Sequence, residues 1–453
     1  MLKTISPLDG RYFKRVETLT DYFSEFALMG SRIHVEIKYL LALDKTGLFP
    51  PLSSREIKKI EKQLESFTEK DYLDIKNIEK DLNHDVKACE VFLINSLNLK
   101  HSNMIHFALT SEDVNNLAHT LLIKKYRDEV QLPAIKDFLD FLAEKIQEWK
   151  AIPMPARTHG QMASPTTAGK EITVFASRLL RQYQALKTLK FCGKFNGATG
   201  NYSAFRVAST GVDWIKFSQD FIKSLELEVN AVSTQIEDHD NWAEYFFLTK
   251  MINSILIDMD QDMWLYLMLG YFKQEAKKGE VGSSTMPHKV NPINFENSEG
   301  NLGIANSLLE HFTSKLSRSR LQRDLSDSTV ERNFGVALGH AHLGLLETMR
   351  GLKKLTVNTE YCENELHKYP ELLAEPIQTI LRRENIANPY DMMKHLTRGQ
   401  EFTIGNLNKF INSLKVSDEV RAELSQLRTF SYIGFAEKIC DEFLKELKKK
   451  LRG

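Results

Sequence analysis

Eleven consecutive residues, Gly282-Ser283-Ser284-Thr285-Met286-Pro287-His288-Lys289-Val290-Asn291-Pro292, put hydroxyls, a cation and amide donors into one stretch. Such a loop can surround an anion: glycine lets the backbone approach a ligand, and Lys289 supplies a point charge for a carboxylate. A serine acting there as a base must do so as an alkoxide or pass its proton on, so the loop has to stabilise negative charge. A second segment, Arg157-Thr158-His159-Gly160-Gln161, sets a histidine among polar neighbours. An imidazole titrates near neutral pH, which suits an acid that protonates a departing group. Composition alone would also allow a plain Gly/Ser/Pro turn and a surface histidine.

Three further stretches carry candidate groups. Thr110-Ser111-Glu112-Asp113 precedes an apolar-periodic run through Val114, Leu117 and Leu121, so Ser111 can cap a helix whose free N–H groups attract a carboxylate. Asn83-His84-Asp85-Val86-Lys87 places a histidine beside an acid that can orient it, or simply starts a helix. Arg323-Asp324-Leu325-Ser326-Asp327-Ser328-Thr329, with Arg332 beyond it, is rich in cations and hydroxyls.

The elements that must position these groups read as helices. From Leu132 the apolar residues Ile135, Phe138, Leu139, Leu142, Ile146 and Trp149 recur three or four apart, one face of a long amphipathic helix. Similar patterns run through about 171–191, 242–276, 299–316 and 333–355, and strands are hard to find. The fold class expected is all-α, with an N-terminal helical domain over 1–100, a central bundle of long helices over 101–352 and a C-terminal helical domain over 353–453. The segments 152–161, 193–211 and 279–292 gather glycine, proline and polar residues and are expected as loops at the ends of the rods.

Composition narrows the partners. Sixty Lys and Arg balance sixty Asp and Glu over 453 residues, so no global field favours nucleic acid or an acidic membrane. Cys89, Cys192, Cys362 and Cys440 are widely spaced and read as reduced thiols rather than a disulfide framework or a metal site. No stretch has the length and apolarity of a signal peptide or membrane helix, and the expected location is the cytoplasm. A Rossmann glycine fingerprint and a P-loop are both lacking. The basic run from Lys445 to Arg452 is what a helix C-terminus favours anyway.

The loop at 282–292 resembles the signature loop of the fumarase, aspartase and argininosuccinate lyase superfamily. Its Met-Pro-His-Lys version is similar to that of the branch acting on adenylosuccinate, in its longer-chain bacterial form. Ser6-Pro7-Leu8-Asp9-Gly10-Arg11-Tyr12 and the segments at 83–87, 110–113, 157–161 and 323–329 carry the same resemblance. It implies a β-elimination releasing fumarate from adenylosuccinate, giving AMP, and from the succinylaminoimidazole carboxamide ribotide (SAICAR), giving AICAR, with no metal or organic cofactor. It implies that Ser283 is the base and His159 the acid, with Lys289 and Asn291 stabilising the carbanion. Thr110 and Ser111 would contact the succinyl part, and Asn83, His84, Asp85, Gln235, Ser284 and Asn297 would line the substrate site. Arg11, Tyr12, Arg323, Ser328 and Arg332 would hold the phosphate, and Thr329 would also contact the substrate. The implied assembly is a homotetramer with a twenty-helix core whose active sites are shared between subunits. The alternatives are another fumarate-releasing lyase of the superfamily, or a helical scaffold derived from it without catalysis.

Overall fold

The computed structural model describes residues 3–275, 286, 289–397 and 403–452. In chain order its principal helices begin with α1 (Glu25–Asp44), α2 (Asp85–Leu97), α3 (Ser111–Tyr126) and α4 (Leu132–Trp149). A hairpin of β1 (Pro153–Thr158) and β2 (Gln161–Thr167) follows. Then come α5 (Ala168–Thr188), α6 (Asp240–Met268), α7 (Ile293–Leu316), the short α8 (Ser326–Glu331) and α9 (Phe334–Leu352). Shorter helices, among them Ala374–Arg383 and Ile404–Ser413, lead to the last helix, Ala436–Arg452. The helical class expected from the sequence is the class adopted, and no helix among the described residues is long and apolar enough to cross a membrane.

Burial explains the long rods. The six residues of the α4 stripe, Ile135 to Trp149, are at most 2% exposed. α6 stops at Met268, short of the apolar pattern that runs on to 276. Gly270 turns the chain at φ 78°, and Phe272–Gln274 pairs as a short strand with Leu355–Val357.

The stretch expected as a loop at 152–161 is instead the start of a hairpin. β1 pairs antiparallel with β2, Arg157 opposite Met162 and Thr158 opposite Gln161. At its tip His159 (φ 53°) and Gly160 (φ 74°) are both left-handed, the two-residue turn whose twist matches paired strands. Pro155 falls where the register shifts between Met154 and Ala156, so its missing N–H breaks no ladder bond.

The chain divides into two compact units. One comprises Met1–Ile135, Gln182–Ser254 and Gly300–Leu346; the other comprises Lys136–Arg181, Ile255–Glu299 and Glu347–Gly453. α4, α5, α6, α7 and α9 contribute residues to both. In the first unit α1 and α3 approach closely enough for the Ser31 hydroxyl to donate to the Ala118 carbonyl at 3.0 Å. Asp113 and Lys194 form a fully buried ion pair at 2.8 Å, and Asp113 also accepts from the backbone N–H groups of Asn196 and Gly197. A buried pair so fully satisfied fixes the loop after residue 193 to α3. α7 and α9 are also tightly apposed there: a Cβ at Gly344 would lie 2.4 Å from Leu302 Cδ2. In the second unit Trp149 meets Phe272 edge to face at 5.4 Å, and Lys150 pairs with Asp441 at 2.6 Å, tying the end of α4 to the last helix.

Candidate functional site

The first unit gathers several of the candidate residues at one corner. Asp85 opens α2, where its Oδ1 accepts the Val86 N–H at 2.9 Å. Its Oδ2 lies 2.9 Å from Arg32 and 3.4 Å from Arg332, bridging a buried guanidinium and an exposed one. Burial works against the Asp85 charge, but the Arg32 guanidinium, the Val86 N–H and Arg332 together outweigh it and hold the carboxyl below its ordinary range. Arg332 also donates to the Ser328 carbonyl at 2.9 Å and to the Ser328 hydroxyl, one turn earlier. Asp85, Arg32, Arg332, His119 and Glu331 line a cavity of about 330 Å³ whose apolar wall includes Phe334. Such a corner, with fixed cations and a hydroxyl at its edge, suits a phosphate or carboxylate.

Behind it lies a buried charge cluster. Arg323 reaches Glu112 on α3, Nη2 to Oε2 at 3.3 Å. Glu112, Glu331 and His239 are all buried, and their nearest polar atoms lie within 4.8 Å of one another. With Arg323 beside them, a guanidinium supplies the positive charge. Burial, with Asp327 nearby, pushes Glu112 above the usual carboxylate range, and burial with Glu112 and Asp327 pushes Glu331 further. Burial pushes His119 down to about 3, helped by Arg32, and His239 down to about 4. The 3.6 Å approach of the neutral His119 imidazole to Glu331 is too long for a hydrogen bond. His239 sits at φ 60°, stacked on Trp242 at 4.2 Å.

The remaining candidates of this unit are placed separately. His84 is exposed and caps α2, its Nδ1 accepting the Lys87 N–H at 3.2 Å. Asn83 ends the preceding helix in the left-handed conformation at φ 51°. The cap of α3 is Thr110, not Ser111: Thr110 has extended backbone and its N–H donates to Asp113 at 3.0 Å, while Ser111 is the first helical residue. An acid at the third helical position makes Thr110 the partner that can be reciprocated. Arg11 is exposed over the ring of Tyr12 at 5.8 Å, and Gln235 is half-buried. Thr329 is exposed on α8.

The second unit carries the other candidates. His159 is exposed at the hairpin tip, and Arg157 braces the turn by donating to the Gly160 carbonyl and, through Nε, to the Tyr271 hydroxyl, both at 3.1 Å. Lys289 is exposed and its N–H donates to the Met286 carbonyl at 3.1 Å; Asn291 accepts from Gln274 through its carbonyl at 3.3 Å. Asn297 is half-buried on α7. Ser283 and Ser284 lie outside the described residues.

Comparison with known proteins places this arrangement. The family profile described as Lyase matches residues 10–305, and the one described as adenylosuccinate lyase C-terminal matches 319–433. Adenylosuccinate lyase of Haemophilus influenzae is 45% identical over 449 residues, 97% of this chain and 98% of that one. The chain belongs to the adenylosuccinate lyase family. Members from Escherichia coli K12 and Dictyostelium discoideum are likewise 45% identical, over 97% and 96% of this chain and 98% and 97% of theirs. The fold of this family member is shared with the fumarate lyase of Mesorhizobium sp. BNC1, TM-score 0.77 at 17% identity, over 95% of this chain and 97% of that one. It is also shared with the 3-carboxy-cis,cis-muconate lactonizing enzyme of Pseudomonas putida, TM-score 0.77 at 18% identity, over 96% and 97%.

Sequence reasoning missed Arg32, Glu112, His119, His239 and Glu331 in this adenylosuccinate lyase family chain. A signal for Arg32 was present: with Glu36 it interrupts the buried stripe of Met29, Ile33, Ile37 and Leu40 on α1, where a charge needs a partner. Nothing local marks the others as buried: Glu112 lies in a helix start, His119 and Glu331 on helices, and His239 just before one.

Proposed function

We propose that this protein cleaves adenylosuccinate to AMP and fumarate, and by the same reaction releases fumarate from SAICAR to give AICAR, as a homotetramer with shared active sites. The observation that carries the reading is near-full-length identity to adenylosuccinate lyases, joined to the Asp85–Arg332–Ser328 corner, whose cations and hydroxyl match a ribotide phosphate. In the elimination Ser283 takes the proton from the carbon beside a succinyl carboxylate, and Lys289 and Asn291 stabilise the charge that spreads onto its oxygens. The C–N bond then breaks, its electron pair goes to the departing nitrogen, and His159 protonates that nitrogen as fumarate's double bond forms. Ser111, the first residue of α3, meets the other succinyl carboxylate with its N–H group and hydroxyl, and Thr110, whose own N–H is held by Asp113, adds its hydroxyl. Arg11, Tyr12, Arg323 and Arg332 take the phosphate; Asn83, His84, Gln235, Ser284, Asn297 and Thr329 complete the walls.

The assembly is supported by apolar side chains left exposed on the longest helices. Phe247, Leu265 and Met268 on α6 and Ile304 on α7 are between 42% and 62% exposed, which a second copy would bury. Purified protein mixed with each substrate in an ultraviolet absorbance assay tests the reading. Turnover of both is expected. A folded protein that turns over neither contradicts it.

As a test of sharing, His159→Ala and Ser283→Ala tetramers dissociated and reassembled together should regain about a quarter of the wild-type rate, the share of sites with both residues intact. Persistent inactivity after reassembly would contradict sharing.

A further inference from the structure

Glu112 sits between Ser111 and Asp113, yet its carboxylate faces away from both roles those neighbours suggest. Its Oε2 is 3.3 Å from Arg323, and its Oε1 is buried with no hydrogen-bond partner among the described residues. Arg323 Nε is likewise buried and without a hydrogen-bond partner among the described residues, and among these Glu112 is the carboxylate that pairs with this guanidinium. Every element packed around Glu112 brings a charged or titratable group. Arg323 comes from the segment before α8, Asp327 and Glu331 from α8 itself, Lys194 from the loop after residue 193, His239 from just before α6 and His119 from α3. Both neighbouring imidazoles are neutral, so Arg323 is the main cation compensating Glu112.

We propose that Glu112 is a positioning residue for Arg323, and that when a phosphate dianion draws Arg323 toward itself a proton from solvent binds the unpartnered Oε1 of Glu112. The inference rests on the reading of Arg323 as a phosphate ligand. In the empty site Arg323 and Glu112 neutralise each other. A phosphate recruits the guanidinium, leaving a buried carboxylate beside Asp327 and Glu331 with too little positive charge to remain ionised. The uptake adds one proton to one oxygen, with no other bond made or broken. Burial already holds Glu112 above the usual carboxylate range, so little further change is needed at neutral pH. Proton uptake on binding means tighter binding at lower pH, because the ligand-bound state carries the extra proton.

AMP and adenosine are titrated calorimetrically into the intact protein at pH 7, in buffers with small and large ionisation heats. Between ~0.3 and ~1 proton should be taken up per AMP bound, with AMP Kd rising ~2–10-fold per pH unit from pH 6.5 to 8. The phosphate's own second ionisation, near ~6, works in the opposite direction and cannot imitate this. Adenosine should take up none. In E112Q the uptake and the pH slope should vanish, with KM raised and kcat within a few-fold of wild type. If E112Q does not fold, the wild-type contrast between AMP and adenosine decides. Normal AMP binding without proton uptake, or uptake that persists in folded E112Q, overturns this proposal alone. Failure of the wild type to bind AMP overturns the phosphate reading and this proposal with it.

Discussion

The Asp85–Arg332 corner and the β1–β2 hairpin differ in how much the chain supplies around each candidate group. At the corner each ionised side chain meets a counterpart: Asp85 bridges Arg32 and Arg332, Arg332 grips Ser328, and Arg323 rests on Glu112. At the hairpin a single imidazole stands exposed, held by the left-handed backbone of His159 and Gly160 and by the Arg157 brace. The corner is preorganised for binding, with little side-chain entropy left to lose when an anion arrives. The hairpin presents one group for chemistry and contributes little else. Affinity and proton transfer should therefore be separable by mutation.

The largest expected effect is at the hairpin. His159→Ala should lower kcat by ~10²–10⁴, the usual contribution of a positioned general acid, measured by steady-state absorbance. At the corner, Arg332→Ala should raise KM and AMP Kd by ~10–100-fold, the loss of charge-assisted hydrogen bonds, with kcat within a few-fold of wild type. An equal collapse of kcat would break the contrast.

Two stability measurements sharpen it. Asp85→Asn leaves the buried Arg32 without its counter-ion and should cost ~1–3 kcal/mol at pH 7 by denaturant unfolding. Because the Asp85 pKa is lowered in the folded state, that deficit should shrink as pH falls below the unfolded carboxylate value. Glu331 behaves oppositely. Its folded pKa is raised, so the stability linked to its neutral form is present at low pH and lost as pH rises toward the folded value. Glu331→Gln, which mimics the neutral form, should match wild type near pH 4 and gain relative to it by up to ~1.4 kcal/mol per pH unit above that. No relative gain by pH 8 would mean that Glu331 is ionised in the folded protein.

The contrast also marks what the sequence made legible. The rods were legible because burial on one helical face leaves a period: the stripe from Ile135 to Trp149 is the buried face of α4. The hairpin was not, because Pro153, Pro155 and Gly160 look like loop residues, and strand pairing depends on left-handed angles at His159 that no local composition records. At the corner, Arg332 and Ser328, one helical turn apart, could be read together. Their link to Asp85 and Arg32 joins residues hundreds of positions away and exists only in the folded unit. Glu112 was legible only as part of a helix start, since its partner Arg323 lies on a distant segment.

The most direct test of separability is to titrate folded His159→Ala with AMP. The account predicts an AMP Kd within ~3-fold of wild type in a protein whose kcat has collapsed, since sites that do not share partners act independently. A Kd raised tenfold or more would contradict it, because the hairpin would then belong to the binding surface as much as the corner does.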